Sequence, residues 1–294
     1  MDDILKKALE RTEREERERG KETPGRQAAG KPGTTASRTQ KTAAPSPAFP
    51  GQAGKNAGKT GKPAPATEPA RSRSSRKVEL QYDVLEENKI VYDCRRNPVA
   101  DQVKILRTQL LHRLLNLGGN SVFFTSPRPG EGKTVNAINT AFSIAQEVER
   151  TVLLIDANLR NPTIHKYLGL PDGPGLADYL LGRAEISDIL VNPGIDKLTL
   201  LPGGQPLATS SEMLGASRMA DLVNEMKNRY DDRILVFDGP DVLTNADSQV
   251  FSHLVDGVVL VVEAEKTTRQ DVEQALERLG DTKLIGTIFN KCQT

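Results

Sequence analysis

The segment Ser126-Pro127-Arg128-Pro129-Gly130-Glu131-Gly132-Lys133-Thr134 constrains this chain more than any other, because it follows the apolar run Val122-Phe123-Phe124 and opens a helix-forming stretch. A strand that feeds a glycine-rich turn into a helix N-terminus is a phosphate-binding build. Successive backbone N–H groups and the positive end of the helix dipole converge there on one anion. In that frame Lys133 reaches the β- and γ-phosphates of a nucleotide, and the Thr134 hydroxyl is a candidate Mg²⁺ ligand. The strict pattern puts glycine five residues before Gly132, where this chain has Pro127. Gly-x-Gly-Lys-Thr alone also reads as a lysine at a helix start after a tight turn, but strand and helix on either side favour the nucleotide.

With 294 residues the chain is long enough for one large α/β domain and extra segments. No apolar run approaches the roughly 18–20 residues of a membrane span. The charged start, Met1-Asp2-Asp3-Ile4-Leu5-Lys6-Lys7, has no signal-peptide core. Two cysteines, Cys94 and Cys292, suggest neither a disulfide framework nor a zinc site. A cytoplasmic location is expected, with recruitment to the inner face of the cell membrane left to a partner.

The net charge of +1 conceals an uneven distribution. Residues 1–20 read as a short charged helix whose Ile4, Leu5, Ala8 and Leu9 form a small apolar stripe. Such a helix is marginal alone, so the stripe is either frayed and solvated or docked on a partner. Residues 21–78 lack Ile, Leu and Tyr, have Phe49 as their only aromatic residue, and carry a net charge of +10. They cannot bury enough apolar surface to offset ordering entropy and read as a disordered basic linker. A solubilising tether and attraction to an anionic surface both fit. Nucleic acid is not expected, because residues for base stacking are missing.

The folded region is expected over 79–294. Pro98 suits a helix start, and Val99, Val103, Leu106 and Leu110 recur at helical spacing. Beyond the glycine-rich loop, apolar runs at Val122–Thr125, Val152–Ile155, Leu198–Leu201, Ile234–Phe237, Val258–Val262 and Leu284–Phe289 alternate with helical stretches. Helices are expected at Thr134–Val148, Ser211–Arg229, Ala246–Val255 and Arg269–Gly280. Continuous apolar strands fit a sheet covered on both faces. The alternation predicts an α/β fold with a doubly wound, mostly parallel sheet and ligands at the strands' carboxyl ends. Val152-Leu153-Leu154-Ile155-Asp156 and Ile234-Leu235-Val236-Phe237-Asp238 each end in an acid. Either alone could be a turn or capping aspartate. Two of them downstream of one phosphate loop point to Mg²⁺ and phosphoryl chemistry.

The series Ser126–Thr134, then Leu153-Leu154-Ile155-Asp156-Ala157-Asn158-Leu159-Arg160-Asn161-Pro162, then Val236-Phe237-Asp238-Gly239-Pro240 resembles the cytoplasmic catalytic domain of bacterial tyrosine kinases. These belong to the MinD/ParA-like side of the P-loop superfamily and act in capsule and exopolysaccharide export. Gly175–Gly182, Ser211-Glu212-Met213-Leu214, Arg269–Leu279 and Gly286–Asn290 are also similar. The resemblance implies an ATP- and Mg²⁺-dependent protein-tyrosine (auto)kinase. Its implied partner is a membrane polysaccharide chain-length regulator or co-polymerase that acts as activator, and a homo-oligomer is also implied. The implied nucleotide site is Pro129, Gly130, Glu131, Gly132, Lys133, Thr134, Val135 and Asn290, the last near adenine. The implied catalytic residues are Lys133, Asp156 and Asp238, and the implied metal ligands Thr134, Asp156 and Asp238. Arg160 is the basic residue of the family's second motif, with a surface ion pair as the plainer reading.

Departures from the family pattern keep a second function open, a MinD/ParA-like nucleotide-switch ATPase without kinase activity. Asn158 stands where the family has a second aspartate. The chain ends Lys291-Cys292-Gln293-Thr294 rather than in a tyrosine-rich tail, which leaves Tyr82 and Tyr92 as the candidates for modification. Asp101, Lys104 and Arg107 stand in for the family's ring-forming Glu-x-x-Arg-x-x-Arg, or form a plain solvated face. Arg128 occupies the loop position where MinD/ParA proteins have a lysine that crosses a dimer. It reads either as an arginine finger in trans or as an exposed loop residue.

Overall fold

The computed structural model describes residues 76–92 and 99–292. The expectations for residues 1–75, Cys94 and Pro98 lie outside the described residues. Elements in chain order are β1 (Arg76–Lys77), α1 (Tyr82–Glu87), α2 (Ala100–Asn116), β2 (Ser121–Thr125), α3 (Lys133–Ala145) and β3 (Thr151–Asp156). Then come α4 (Ile164–Tyr167), α5 (Leu176–Leu180), α6 (Ile186–Ile189), β4 (Val191–Asn192), β5 (Leu198–Leu201), α7 (Ser210–Leu214) and α8 (Ser217–Asn228). The chain continues through β6 (Arg233–Asp238), α9 (Asp247–Phe251), a 3₁₀ turn at Ser252–Leu254, β7 (Gly257–Glu263), α10 (Arg269–Leu279) and β8 (Leu284–Asn290).

The described strands form one eight-stranded sheet in the order β1-β4-β5-β3-β6-β2-β7-β8. Every pairing is parallel except β4 with β5. The doubly wound, mostly parallel architecture is therefore present, with one antiparallel junction near an edge. Each of the six apolar runs became a strand, three of them one residue longer at both ends and two at one end. Their alternate side chains feed two cores. Phe123, Ile155, Leu235 and Phe237 pack with α5, α8, α9 and α10 on one face, whereas Val122, Phe124, Leu154 and Val236 pack with α1, α2 and α3 on the other. Each fully buried Leu, Val or Phe contributes roughly 1.5–3 kcal/mol, so both strand faces must be covered.

Three expectations are corrected. Arg76 and Lys77, assigned by sequence to the linker, pair in parallel with Val191 and Asn192. The helix expected over Ser211–Arg229 is two helices. Ala216 turns extended, at ψ 149°, after Gly215, a residue of poor helix propensity, so α8 starts afresh at Ser217. The helix expected over Ala246–Val255 tightens into the 3₁₀ turn after Phe251.

The α2 triplet is used within the chain. Lys104 pairs with Asp101 at 3.0 Å on the exposed face. Arg107 pairs with Glu147 at 2.7 Å and donates to the Ser143 carbonyl at 3.1 Å, which clamps α2 onto α3.

Candidate active site

The central strands β2, β6 and β3 lie side by side, and their carboxyl ends carry the sequence-predicted residues. After β2 the chain makes the glycine-rich loop and enters α3 with Gly132 as the cap residue, without a capping side chain. Gly130 and Gly132 have φ of 82° and 97°, a left-handed backbone that other residues rarely adopt. Gly132 is required a second time, since a Cβ there would stand 1.9 Å from Asn290 Nδ2. Among the described residues no acceptor takes the N–H groups of Gly130, Glu131 or Gly132. The first N–H groups of α3, at Lys133 and Thr134, are free by helix geometry. The loop thus presents a row of unused donors at the positive end of a 13-residue helix.

The loop is braced from behind. The buried Glu131 carboxylate accepts from the Arg128 backbone N–H at 2.8 Å and from Thr267 Oγ1 at 2.5 Å. Its pKa is raised, chiefly by burial. Asn290 Nδ2 donates to the Glu131 carbonyl at 2.8 Å, and Lys291 Nζ to the Gly130 carbonyl at 2.8 Å. Pro127, the departure from the glycine pattern, sits in the same scaffold, its carbonyl accepting from the Leu243 N–H at 3.1 Å. Pro129 is exposed, and Val135 packs its side chain against the core on the α1–α3 face. Any nucleotide contact by Glu131 or Val135 therefore falls to the backbone.

Asp156 and Asp238 occupy facing positions in the β3–β6 register, and both are fully buried. Asp238 Oδ2 accepts from Thr134 Oγ1 at 2.8 Å, while its Oδ1 is buried with no partner among the described residues. Burial pushes Asp238 up to about 6, opposed by the nearby Lys133 ammonium and the Thr134 hydrogen bond. Asp156 Oδ2 accepts from the N–H groups of Thr163 (2.8 Å) and Ile164 (3.0 Å), and Oδ1 from that of Asn158 (3.2 Å). Burial pushes it up to about 7, helped by the neighbouring Asp238 charge and opposed by those N–H donors.

These residues fit a divalent cation bound with a nucleotide. An orphaned buried carboxylate oxygen beside a threonine hydroxyl is a hard oxygen pair of the kind Mg²⁺ takes together with phosphate oxygens and water. No cluster of three or more His, Cys, Asp or Glu suited to a metal occurs among the described residues. A phosphate-assisted Mg²⁺ site does not need one.

Other predicted residues are placed differently. Arg128 pairs with Asp271 at 2.7 Å on its own chain and points to the start of α10. The Asn158 side-chain oxygen accepts from the Asn161 N–H at 3.4 Å, closing the turn after β3. Arg160 lies 3.6 Å from the buried Asp247. Tyr82 and Tyr92 are exposed, with ring centroids 4.9 Å apart. Sequence reasoning missed the bracing role of Glu131, the Thr267 hydroxyl behind it, and Asp247. For Thr267 there was a signal, since Thr267-Thr268 precedes a helix and Thr268 caps it by accepting from the Asp271 N–H.

No family model matches the chain. It is 34% identical over 193 residues to the tyrosine-protein kinase YwqD of Bacillus subtilis, a match covering 65% of this chain and 80% of that protein. It is 29% identical over 204 residues to the putative tyrosine-protein kinase CapB of Staphylococcus aureus, covering 68% of this chain and 88% of that one. The kinase domain of the Escherichia coli tyrosine kinase ETK superposes with a TM-score of 0.63 at 26% identity, covering 69% of this chain and 81% of that one. Phosphate loop, paired strand-end acids and these likenesses lead to one assignment: the chain belongs to the family of bacterial tyrosine-protein kinases.

Proposed function

We propose that the chain binds Mg²⁺ and ATP at the β2 loop and transfers the γ-phosphoryl group to tyrosine with Asp156 as the general base. The observation that carries this reading is the facing pair Asp156 and Asp238, one held by backbone donors and the other hydrogen-bonded to Thr134 with an oxygen to spare. The free N–H groups of Gly130–Thr134 hold the phosphates, and Lys133 spans the β- and γ-phosphate oxygens. Asn290 borders the nucleotide from the end of β8. Mg²⁺, held by Thr134 and Asp238 with Asp156 nearby, supplies neutralisation of the phosphate charge. Asp156, poised near neutrality, takes the phenol proton as the tyrosine oxygen bonds to the γ-phosphorus and the bond to the leaving ADP oxygen breaks.

The pathway reading is capsule or exopolysaccharide polymerisation and export, with a membrane chain-length regulator as activator, and the chain on the cytoplasmic side of the membrane. Among the described residues no helix is long and apolar enough to cross a membrane, so in this reading the regulator supplies the anchor. Tyr82 and Tyr92 are the acceptors on this chain, reached in trans. A homo-oligomer built through α2 uses Asp101 and Lys104, since Arg107 is committed to Glu147.

Purified protein incubated with Mg²⁺ and γ-labelled ATP, with and without cytoplasmic segments of candidate regulators, tests the reading. Label on tyrosine that disappears in Lys133→Ala and Asp156→Ala, and falls in the Tyr82→Phe/Tyr92→Phe double variant, is the expected result. Free phosphate alone, lost equally in Lys133→Ala, would replace it with the nucleotide-switch ATPase.

A further inference from the structure

Ser211-Glu212-Met213-Leu214, the family-like stretch with no part in the chemistry above, meets Arg160 through a single buried carboxylate. Asp247 opens α9 and is wholly buried. Its Oδ2 accepts from Ser210 Oγ at 2.5 Å and its Oδ1 from Ser211 Oγ, both from the start of α7. Hydroxyls satisfy its lone pairs but not its charge, and burying an unpaired carboxylate is costly. The cation recorded beside it is Arg160, 3.6 Å away. At that distance the attraction steers the guanidinium without consuming its donors, and the Arg160 side chain is 47% exposed.

The same helix start is fixed to the active site from another side. Ser248 Oγ donates to the Pro240 carbonyl at 2.6 Å in the loop after Asp238, and Thr125 Oγ1 at the end of β2 donates to that carbonyl at 2.7 Å. The first two residues of α9 therefore register three strand ends against one another. Arg160 follows β3, which lies two strands from β2 with β6 between them. That is a separation of about 10 Å at ordinary strand spacing. With phosphates over the β2 loop, Arg160 lies across β6 from them, on the side of Asp156.

We infer that Asp247, seated by Ser210 and Ser211, is a positioning residue that aims Arg160 at an anionic group on the acceptor side of the transferring phosphoryl. The inference rests on the kinase reading of the site. Its anion is either the phosphoryl group or a carboxylate flanking the acceptor tyrosine.

The full chain is assayed with two tyrosine peptides, one with Glu beside the tyrosine and one with Gln. A fluorescent ADP analogue reports nucleotide binding, and a phosphotyrosine peptide reports binding without turnover. Arg160→Ala is expected to lower acceptor kcat/KM and phosphopeptide affinity about tenfold or more, the loss of one charge-assisted contact, with ADP affinity almost unchanged. Asp247→Asn should move the same quantities, and the double variant should be no worse than Arg160→Ala. Ser211→Ala gives a smaller loss of the same kind and serves if Asp247→Asn does not fold. A loss confined to KM for the Glu peptide identifies the flanking carboxylate, and a loss of kcat on both peptides identifies the phosphoryl group. Unchanged acceptor kinetics in Arg160→Ala, or additive effects of the two substitutions, would overturn the assignment and leave Arg160 as a neutralising partner of Asp247. If the wild type makes no phosphotyrosine while phosphopeptide binding still needs Arg160 and Asp247, the kinase reading and the acceptor role fail together, and what stands is that Asp247 aims Arg160 at a bound anion. Phosphopeptide binding indifferent to both residues defeats it.

Discussion

The loops that follow β2 and β3 use one device, backbone N–H groups gathered at a strand end, and put it to opposite ends. After β2, the N–H groups of Gly130, Glu131 and Gly132 have no acceptor among the described residues, while carbonyls and side chains brace the loop from behind. After β3, the N–H groups of Asn158, Thr163 and Ile164 all donate to the loop's own Asp156. The first loop is a seat for an anion from outside the chain, and the second a seat filled by the loop's own carboxylate. On the proposed reading the first seat takes the phosphate and the second holds the base.

The largest effect should come from emptying the filled seat. Asp156→Asn keeps the shape but not the charge or the basicity, and tyrosine phosphorylation is expected to fall on the order of 10²–10⁴-fold while nucleotide affinity changes little. An affinity that collapsed with the rate would mean that both loops belong to nucleotide binding, and the contrast would be lost. Next comes spoiling the open seat. Gly132→Ala forces a side chain into a left-handed backbone and against Asn290 Nδ2, at a cost of roughly 1–3 kcal/mol. Titration calorimetry should find weakened ADP binding.

A smaller effect follows from the raised acids. Asp156 and Asp238, at about 7 and about 6 in the folded protein against an ordinary 3.8, hold protons that the unfolded chain has released. Between those values the folded state binds more protons, so stability without ligand declines as pH rises through about 4 to 7. Melting curves should find Asp238→Asn more stable relative to wild type at pH 7.5 than at pH 5. The smallest effect is expected from Arg128→Ala. Arg128 is exposed and its ion pair with Asp271 is intramolecular, so rate and self-association should stay near wild type. A rate that fell and recovered on mixing with Lys133→Ala protein would instead restore the role in trans.

The sequence was legible where burial is two-sided. The runs ending in Asp156 and Asp238 could hardly be anything but central strands, and a glycine loop between strand and helix has few other uses. It was illegible where the outcome depends on partners far along the chain. Nothing in Pro240-Asp241-Val242-Leu243-Thr244-Asn245-Ala246-Asp247 distinguishes Asp247 from Asp241, which takes a local N–H from Thr244, because the Asp247 seat is made by serines on another helix. Glu131 reads in the sequence as part of the nucleotide site and not as the brace of its loop, since its Thr267 partner stands 136 residues later. The short pieces β1, β4, α4, α5 and α6 carry too few residues for a periodic pattern.

The facing register of Asp156 and Asp238 ties the chemistry to the order in which the chain assembles. A parallel slip of one residue between β3 and β6 would turn one acid to the opposite face from the other. That pairing joins segments distant in sequence, a slow class of contact. Partly folded chains can form the β2 loop and α3 locally, yet Asp156 and Asp238 do not meet until the central ladder closes. On the proposed mechanism phosphorylation would then be a late reporter of folding, silent in every species whose middle strands have yet to meet.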